Sequence, residues 1–525
     1  MGKRATFSNP AMPMLAFFGF TGLVGVAVFG LIASGKLPSQ AAATNATPGA
    51  QLGVVITADV RGYLEPCGCS EHMLGGLDRA TAQVDAAKKE LGAAVHIAAG
   101  DTLFAAPPAD AAHGQQDQLK AKTILAADAM MNTVALAMGP RDLPMGPPAI
   151  AEVKPTFPVI GLGQGPGFSV SKQGDIQLGV ATGKDPADLL ANVKAAKSAG
   201  AEAIIALAQF PLPQLLPQGP QLKAAGADVA VIAHQAADTD GEANHDVDAG
   251  LPVLTLMNRG RAIARVDLHR APGAPPGFAL VTSGAEQAHD LELRDAEIES
   301  LKKRAHLAES PLKEAMDKKI AEKQAQRDAL AAQKPAPPAG RSWLSVRFVE
   351  LSDAQPRSQA GHALIEKFDA DVGQLNLAWA RAHGVSCPAP KPGEPAFAGT
   401  DSCIACHAEP GDVYKSTEHS HAYTTLEKVH KQFDLDCVRC HVVGTNAPGG
   451  VCRVDQVDGR KNVGCESCHG RGSLHADDPN VPVPVPEPGE QNCRVCHTPE
   501  NSTAFDFHTY LPKILGPGHG KPSAK

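Results

Sequence analysis

An α/β domain followed by a charged helical spacer and a loop-rich, mostly helical domain is the architecture this chain predicts. Three observations predict it: strand–helix alternation through the first half, a highly charged stretch in the middle, and four Cys-x-x-Cys-His motifs near the C-terminus. Short apolar runs recur at 52–59, 94–99, 133–138, 158–162, 176–182, 203–207, 229–233, 253–257 and 263–268. Amphipathic stretches at 77–91, 118–131 and 187–198 separate several of them. Runs of Val, Ile and Leu alternating with helices indicate a sheet buried on both faces. Asp185-Pro186 marks a helix start, with a capping carboxylate and a Pro in the first turn. A chain of 525 residues exceeds one ordinary domain, and the α/β domain is assigned to 51–285.

Lys, Arg, Glu and Asp dominate 286–334, with Leu291, Ile298, Leu301, Ala305, Ala308 and Leu312 mostly three or four apart. That pattern is a solvated helix with one narrow apolar stripe. Ser310-Pro311 divides it in two. A spacer lying on the domain is the simpler reading, and a partner-binding arm is the other. An extension at 335–395 holds a strand (344–351), a helix (361–382) and a stiff Pro-rich linker at 388–395. The last domain, 396–525, has few periodic segments, and the run Val481-Pro-Val-Pro-Val-Pro-Glu-Pro488 must be extended.

At the N-terminus, Lys3 and Arg4 lie in a short segment, 1–13, that is expected to stay cytoplasmic. The uncharged run from Met14 to Ala33, within a segment assigned to 14–35, is long enough for a helix to cross a bilayer. An uncleaved signal-anchor is expected, with a signal peptide cut near Ala41 to Ala43 as the alternative. Residues 36–50 read as a linker. Either way the remainder lies outside the cytoplasm, on the periplasmic side of a bacterial inner membrane, anchored or secreted.

The four motifs are Cys403-Ile-Ala-Cys406-His407, Cys437-Val-Arg-Cys440-His441, Cys465-Glu-Ser-Cys468-His469 and Cys493-Arg-Val-Cys496-His497. This spacing is the attachment signature of c-type haem: two thiols add across the porphyrin vinyl groups and the next His binds the iron. A zinc ribbon has no use for a His after each Cys pair. Four covalently attached haems c are expected. Aromatic residues are only 4%, and flat porphyrins can take their place in a core. The net charge of −8 argues against nucleic-acid binding.

Each low-spin haem needs a sixth ligand. Residues 401–525 hold six further histidines: His419, His421, His430, His475, His508 and His519. His475 and either His419 or His421 lead as distal ligands, followed by His430 and His519, then His508. No Met follows Met316, so ligation is bis-His, which implies low potentials. Cys387 and Cys452 lie outside the motifs and suit one ordinary disulfide.

Two stretches make this region resemble the multihaem cytochrome c-552/c-554 family: Tyr414-Lys-Ser-Thr-Glu-His-Ser-His-Ala-Tyr423, and Asn462-Val-Gly-Cys-Glu-Ser-Cys-His-Gly-Arg-Gly-Ser-Leu-His475. The resemblance covers roughly 400–500. It implies that His475 ligates a neighbouring haem. Family members include carriers and enzymes acting on nitrogen or sulfur oxyanions.

Residues 52–270 resemble the metallophosphoesterase domain of the 5′-nucleotidase family, which implies an α/β sandwich. Ile56-Thr-Ala-Asp-Val-Arg-Gly62 stands for the first metal motif and Ala98-Ala-Gly-Asp101 for the second. Met138-Gly-Pro-Arg141, Leu207-Ala-Gln209 and Ile232-Ala-His234-Gln-Ala236 stand for the rest. Asp59, Asp101 and His234 fit the ligand pattern. Arg61, Pro140, Arg141, Gln209 and Ala236 depart from it. A two-metal hydrolase needs clustered carboxylates and imidazoles, so a degenerate, non-catalytic scaffold is expected. Cys67 and Cys69 in Leu64-Glu-Pro-Cys-Gly-Cys-Ser70 read as a structural pair, with a redox pair as the alternative.

The combined expectation is a membrane-anchored periplasmic tetrahaem cytochrome c. It exchanges single electrons with redox proteins or quinol-linked membrane complexes. An oxidoreductase with one open haem is the second reading, and a phosphoesterase fused to a cytochrome the third.

Overall fold

The computed structural model describes residues 51–66, 73–281 and 338–516, apart from short breaks at 162, 164, 236–242, 247–249, 499–500 and 503–504, plus helical pieces between 287 and 332 and residue 519. The membrane-spanning segment expected at 14–35, Cys67, Cys69, Ala236 and Ser310-Pro311 lie outside the described residues. Among the described residues no helix is long and apolar enough to cross a membrane.

Thirteen strands are described: β1 (Gln51–Thr57), β2 (Ala94–Ala98), β3 (Thr133–Ala137), β4 (Val159–Ile160), β5 (Phe168–Gln173), β6 (Ile176–Gly183), β7 (Ala203–Ala208), β8 (Val229–Ile232), β9 (Asn244–Asp246), β10 (Val253–Thr255), β11 (Ala262–His269), β12 (Ala279–Leu280) and β13 (Trp343–Glu350). They form two sheets, ordered β12-β13-β11-β1-β2-β3-β4 and β5-β6-β7-β8-β10-β9. The centre of each is parallel: β1 pairs with β2, β2 with β3, β6 with β7, and β7 with β8. Successive strand side chains face opposite ways, and the two faces of β1 show it. Leu52, Val54 and Ile56 join Leu178, Val180, Ile205 and Leu207 in the core between the sheets. Val55 points outward to Val84, Ile124 and Phe368.

Helices cover both outer faces. Leu77–Leu91, Ala111–Met130 and Gln359–Ala382 pack on the first sheet, and Pro186–Ser198 packs on the second. This is the α/β sandwich the sequence predicts, with one revision. The 335–395 extension is integral to it: β13 pairs antiparallel with β11 along eight residues, and Gln359–Ala382 supplies Ile365, Phe368 and Val372 to the outer core. The second helix starts at Ala111 rather than 118, because Asp110 caps it by accepting from the His113 amide at 2.9 Å. Cys387 and Cys452 form a disulfide, as their position outside the haem motifs suggests.

One polar group is buried in the sheet itself. His96 on β2 sits between the Thr57 and Thr133 hydroxyls at 2.9 and 2.8 Å, with Asp128 at 3.6 Å. Burial pushes His96 down to about 3 and Asp128 up to about 8. Both groups are therefore neutral near pH 7. The raised Asp128 contributes stability that is lost as pH climbs from about 4 to about 8. The depressed His96 contributes stability that is lost as pH falls from about 6.5 to about 3. The two slopes oppose each other between about pH 4 and 6.5; above that the Asp128 decline remains to about pH 8, joined up to about pH 7 by buried Asp142, which is raised in the same direction. Urea unfolding across about pH 7–8 is expected to show the decline in the native chain, and Asp128→Asn is expected to reduce it.

Candidate functional site: a haem-binding region beside a degenerate metal cluster

Each Cys-x-x-Cys-His lies at a short helix, a geometry that puts both thiols and the following imidazole on one side. The helices are Thr400–Cys406, Leu435–His441, Cys465–His469 and Glu490–Cys493. None of the eight motif cysteines is drawn into a disulfide. The first motif lies against the third, with Cys403 beside Cys465, and the second against the fourth, with Cys440 beside Cys496. Glu466 inside the third motif is buried and accepts from the amides of Ala398, Gly399 and Gly472, each at 2.8 Å. It thereby joins the start of the first motif helix to the segment leading to His475. Sequence reasoning missed it, since a Glu between two haem cysteines carries no signal of its own.

The histidines are oriented by their ring nitrogens. His441 Nδ1 faces the Ala422 carbonyl at 2.5 Å, His469 Nδ1 the Val485 carbonyl at 2.9 Å, and His475 Nδ1 the Val481 carbonyl at 2.7 Å. His497 Nδ1 faces the Ser502 hydroxyl at 3.2 Å. A ring that donates from Nδ1 keeps Nε2 for a metal, the arrangement typical of ligating histidines. Two of the acceptors come from the Val481–Pro488 run. Its prolines have no N–H, and an extended strap makes no internal hydrogen bonds, so its carbonyls stay available.

Two distal candidates stand opposite motif histidines. His475 faces His407 with ring centroids 6.0 Å apart, and His419 faces His497 at 6.1 Å. Metal–imidazole bonds run about 2.0–2.1 Å, so two imidazoles trans across one metal have centroids about 6 Å apart. Both pairs fit an iron between them. His519 lies near His469 and His407; burial, then those two rings, hold its pKa below the usual histidine range. His421 ends an exposed turn, His430 is exposed with a left-handed backbone, and His508 is exposed. None of these three is described opposite a motif histidine.

A cavity of about 1970 Å³ opens between the two parts of the fold. The haem region contributes Cys437, Cys440, His441, Cys493, Cys496 and His497, with His419 and His430 at its walls. The α/β domain contributes Arg61, Tyr63 and Phe104. Cysteine pairs, imidazoles and apolar walls suit a porphyrin.

The degenerate metal cluster lies beside it, at the carboxyl ends of the parallel strands where α/β folds place their sites. Asp59 follows β1, Asp101 follows β2, Arg141 follows β3, Gln209 follows β7 and His234 follows β8. The fold gathers the three retained positions: His234 Nδ1 bonds Asp101, and Asp59 and Asp101 repel each other across the cluster. Arg61 fills the space between, clamping Asp59 at 2.6 and 2.8 Å. The Arg141 amide donates to Asp101 at 2.8 Å, and both guanidinium groups reach the Gln235 carbonyl, at 3.3 and 3.2 Å. Gln209 turns away to the Ala99 carbonyl and the Thr182 hydroxyl, at 2.8 and 3.1 Å. Two guanidinium cations in the cluster repel divalent ions, so these residues do not fit a two-metal centre. Among the described residues no group of three or more His, Cys, Asp or Glu is arranged to hold a metal.

Burial pushes Asp59 above the usual carboxylate range, while the Arg61 hydrogen bonds pull it down. Arg61→Met strands this buried carboxylate and is expected to lower stability by about 3–5 kcal/mol. The double change Asp59→Leu with Arg61→Met is expected to recover most of it, as read by urea unfolding.

The Cytochrome c554 and c-prime family model matches residues 402–470. Cytochrome c-554 of Nitrosomonas europaea is 35% identical over 91 residues, which is 14% of this chain and 39% of that protein. The chain thus spans about two fifths of the curated relative it matches. Among solved structures, the Thermus thermophilus sulfate thiohydrolase in complex with glycerol aligns at 12% identity and a TM-score of 0.38, over 61% of this chain and 60% of that one. A 5′-nucleotidase precursor, also from Thermus thermophilus, aligns at 12% and 0.38, over 79% and 72%. The calcineurin-like phosphoesterase YfkN of Bacillus subtilis aligns at 12% and 0.38, over 62% and 98%. Behind its α/β sandwich, this chain carries a domain of the cytochrome c554 family at residues 402–470.

Proposed function

We propose that this protein is a periplasmic tetrahaem c-type cytochrome, anchored or secreted, that carries single electrons at low potential. The observation that carries the reading is the spacing of His407 from His475 and of His419 from His497, 6.0 and 6.1 Å between ring centres. A bound haem c supplies a reversible one-electron iron couple. The chain supplies the rest. Cys403 and Cys406, Cys437 and Cys440, Cys465 and Cys468, and Cys493 and Cys496 fix the porphyrins. His407, His441, His469 and His497 are the proximal ligands. His475 serves the first haem and His419 the fourth, while His519 is the nearest candidate for the third. Two-fold histidine ligation without any Met in the region favours low potentials. The α/β domain is a non-catalytic scaffold, because Arg61 and Arg141 occupy the cluster that a two-metal hydrolase keeps for its ions. Partners are redox proteins or quinol-linked membrane complexes.

The deciding experiment is the visible spectrum of the dithionite-reduced protein with and without carbon monoxide. An unchanged spectrum is expected, with His430, which lines the same cavity as Cys437, Cys440 and His441, as the remaining candidate for the second iron. A shift in about a quarter of the Soret signal would mean one open haem and an enzyme acting on a small nitrogen or sulfur species. Potentiometric titration is expected to place every midpoint below the standard hydrogen electrode. His475→Met is expected to raise one midpoint and leave three in place. Assays of 5′-nucleotide hydrolysis with added Mn²⁺ are expected to show no turnover.

A further inference from the structure

The α/β domain grips one haem-attachment helix through a buried polar network. Helix Leu435–His441 carries Cys437, Cys440 and His441, and Asp434 is its N-cap, accepting from the Asp436 amide at 2.9 Å. Gln116 on helix Ala111–Met130 is fully buried and donates Nε2 to Asp434 at 2.8 Å and to Asp436 at 3.1 Å. Its Oε1 accepts from the Leu435 amide at 3.0 Å and from Asn376 at 2.8 Å. Asn376, on helix Gln359–Ala382, also donates to the Phe433 carbonyl at 2.9 Å. Lys120, one turn beyond Gln116, pairs with Asp436. Lys431 pairs with Glu65, just past β1, and with Asp369 at 3.2 Å.

Apart from the bond that joins Gln116 to Asn376, every one of these contacts ends on residues 431–436. A buried amide satisfied at both ends admits one orientation, so Gln116 fixes the start of the attachment helix. The network also sets charge. Asp434 and Asp436 put two carboxylates just before Cys437, and the α/β domain answers with the Gln116 amide and with the Lys120 ammonium, which pairs with Asp436 and also lies 3.8 Å from Asp117 on its own helix.

We propose that the α/β domain positions the second haem and tunes it, with Lys120 and Gln116 offsetting the Asp434 and Asp436 carboxylates so that this haem is easier to reduce than the carboxylates alone would make it. The inference rests on haem c being bound at Cys437 and Cys440, and it gives the degenerate domain a part in electron transfer. Reduction adds one negative charge to the haem. Nearby carboxylates oppose it and nearby cations favour it. At about 10 Å and an effective dielectric of about 20, one unit charge changes a reduction constant on the order of tenfold.

The test is spectroelectrochemical titration of the full, haem-loaded chain. The second haem is identified by the signal that changes in His441→Met. Lys120→Met is expected to lower its midpoint and Asp436→Asn to raise it, each by the equivalent of several-fold to tenfold in its reduction constant. The other three midpoints are expected to hold. A merely structural contact would loosen the helix in both variants and move both midpoints the same way. Shifts of the same sign, an equal shift in all four haems, or no shift in a folded, fully loaded Lys120→Met protein would overturn the proposal. If Asp436→Asn fails to fold, Lys120→Arg takes its place: it keeps the charge and is expected to hold the midpoint, and a drop equal to that of Lys120→Met would overturn the proposal. Carbon monoxide binding by the native chain would overturn the carrier reading and leave this sign test intact, so the two failures are distinguishable.

Discussion

Nδ1 contacts of four imidazoles tie residues 396–516 together, and a ring held through Nδ1 is fixed in its orientation. His441, His469 and His475 each find a backbone carbonyl, and His497 finds a hydroxyl. The acceptors of His441 and His469 lie 19 and 16 residues away in sequence, so each of these two rings ties two stretches of chain together. The Val481–Pro488 strap serves two rings at once, through the carbonyls of Val481 and Val485. Pro-rich backbone suits this task because it holds an extended line and leaves its carbonyls free. Glu466 adds a second set of ties, from the third motif to Ala398, Gly399 and Gly472. Few apolar side chains are needed for such a framework. Its buried cluster is small, built around Tyr423, Leu426, Val438 and Val442.

The α/β sandwich works by the opposite principle. Its core is large, continuous and apolar, filled from both sheets and closed by helices outside. It therefore offers rigid edges on which a loop-rich domain can lean. At one edge, the strand ends, Asp59, Arg61 and Asp101 all adopt left-handed backbone conformations, with φ of 53°, 56° and 47°. Such geometry is uncommon for residues with a Cβ and persists where surrounding contacts enforce it. Here the Asp59–Arg61 clamp and the Asp59 and Arg61 amides, which donate to the Gly100 and Asp101 carbonyls, do so. A charge pair internal to the protein holds the loops, and the same loops form one wall of the haem cavity.

Local patterns carried much of this in advance. Haem attachment is written in five consecutive residues, because thioether and iron bonds are made by neighbours in sequence. The central strands followed from apolar runs, since burial on both faces leaves no other pattern. The loss of the metal set was visible in Arg61, Arg141 and Gln209, because a guanidinium or an amide cannot do the work of an imidazole ligand. Misplaced boundaries had identifiable causes. Gly114 and the polar Gln115 and Gln116 disguise the first turns of helix Ala111–Met130. The expected extension at 335–395 contains β13, whose place beside β11 is decided by hydrogen bonds to a strand some eighty residues earlier.

By itself, then, the sequence predicted the chemistry of single segments: four haem-attachment motifs, the His that follows each pair, the central strands of both sheets, and departures from a metal-ligand pattern. Tertiary structure alone decided every relation between distant segments. It set His475 opposite His407 and His419 opposite His497, left His421, His430 and His508 exposed, and turned Gln116, a polar residue indistinguishable in sequence from a surface one, into the buried joint between the two domains. The physical reason is that covalent attachment and periodic burial are local properties of the chain. Trans ligation and a buried hydrogen-bond network require partners that only folding brings within a few ångströms.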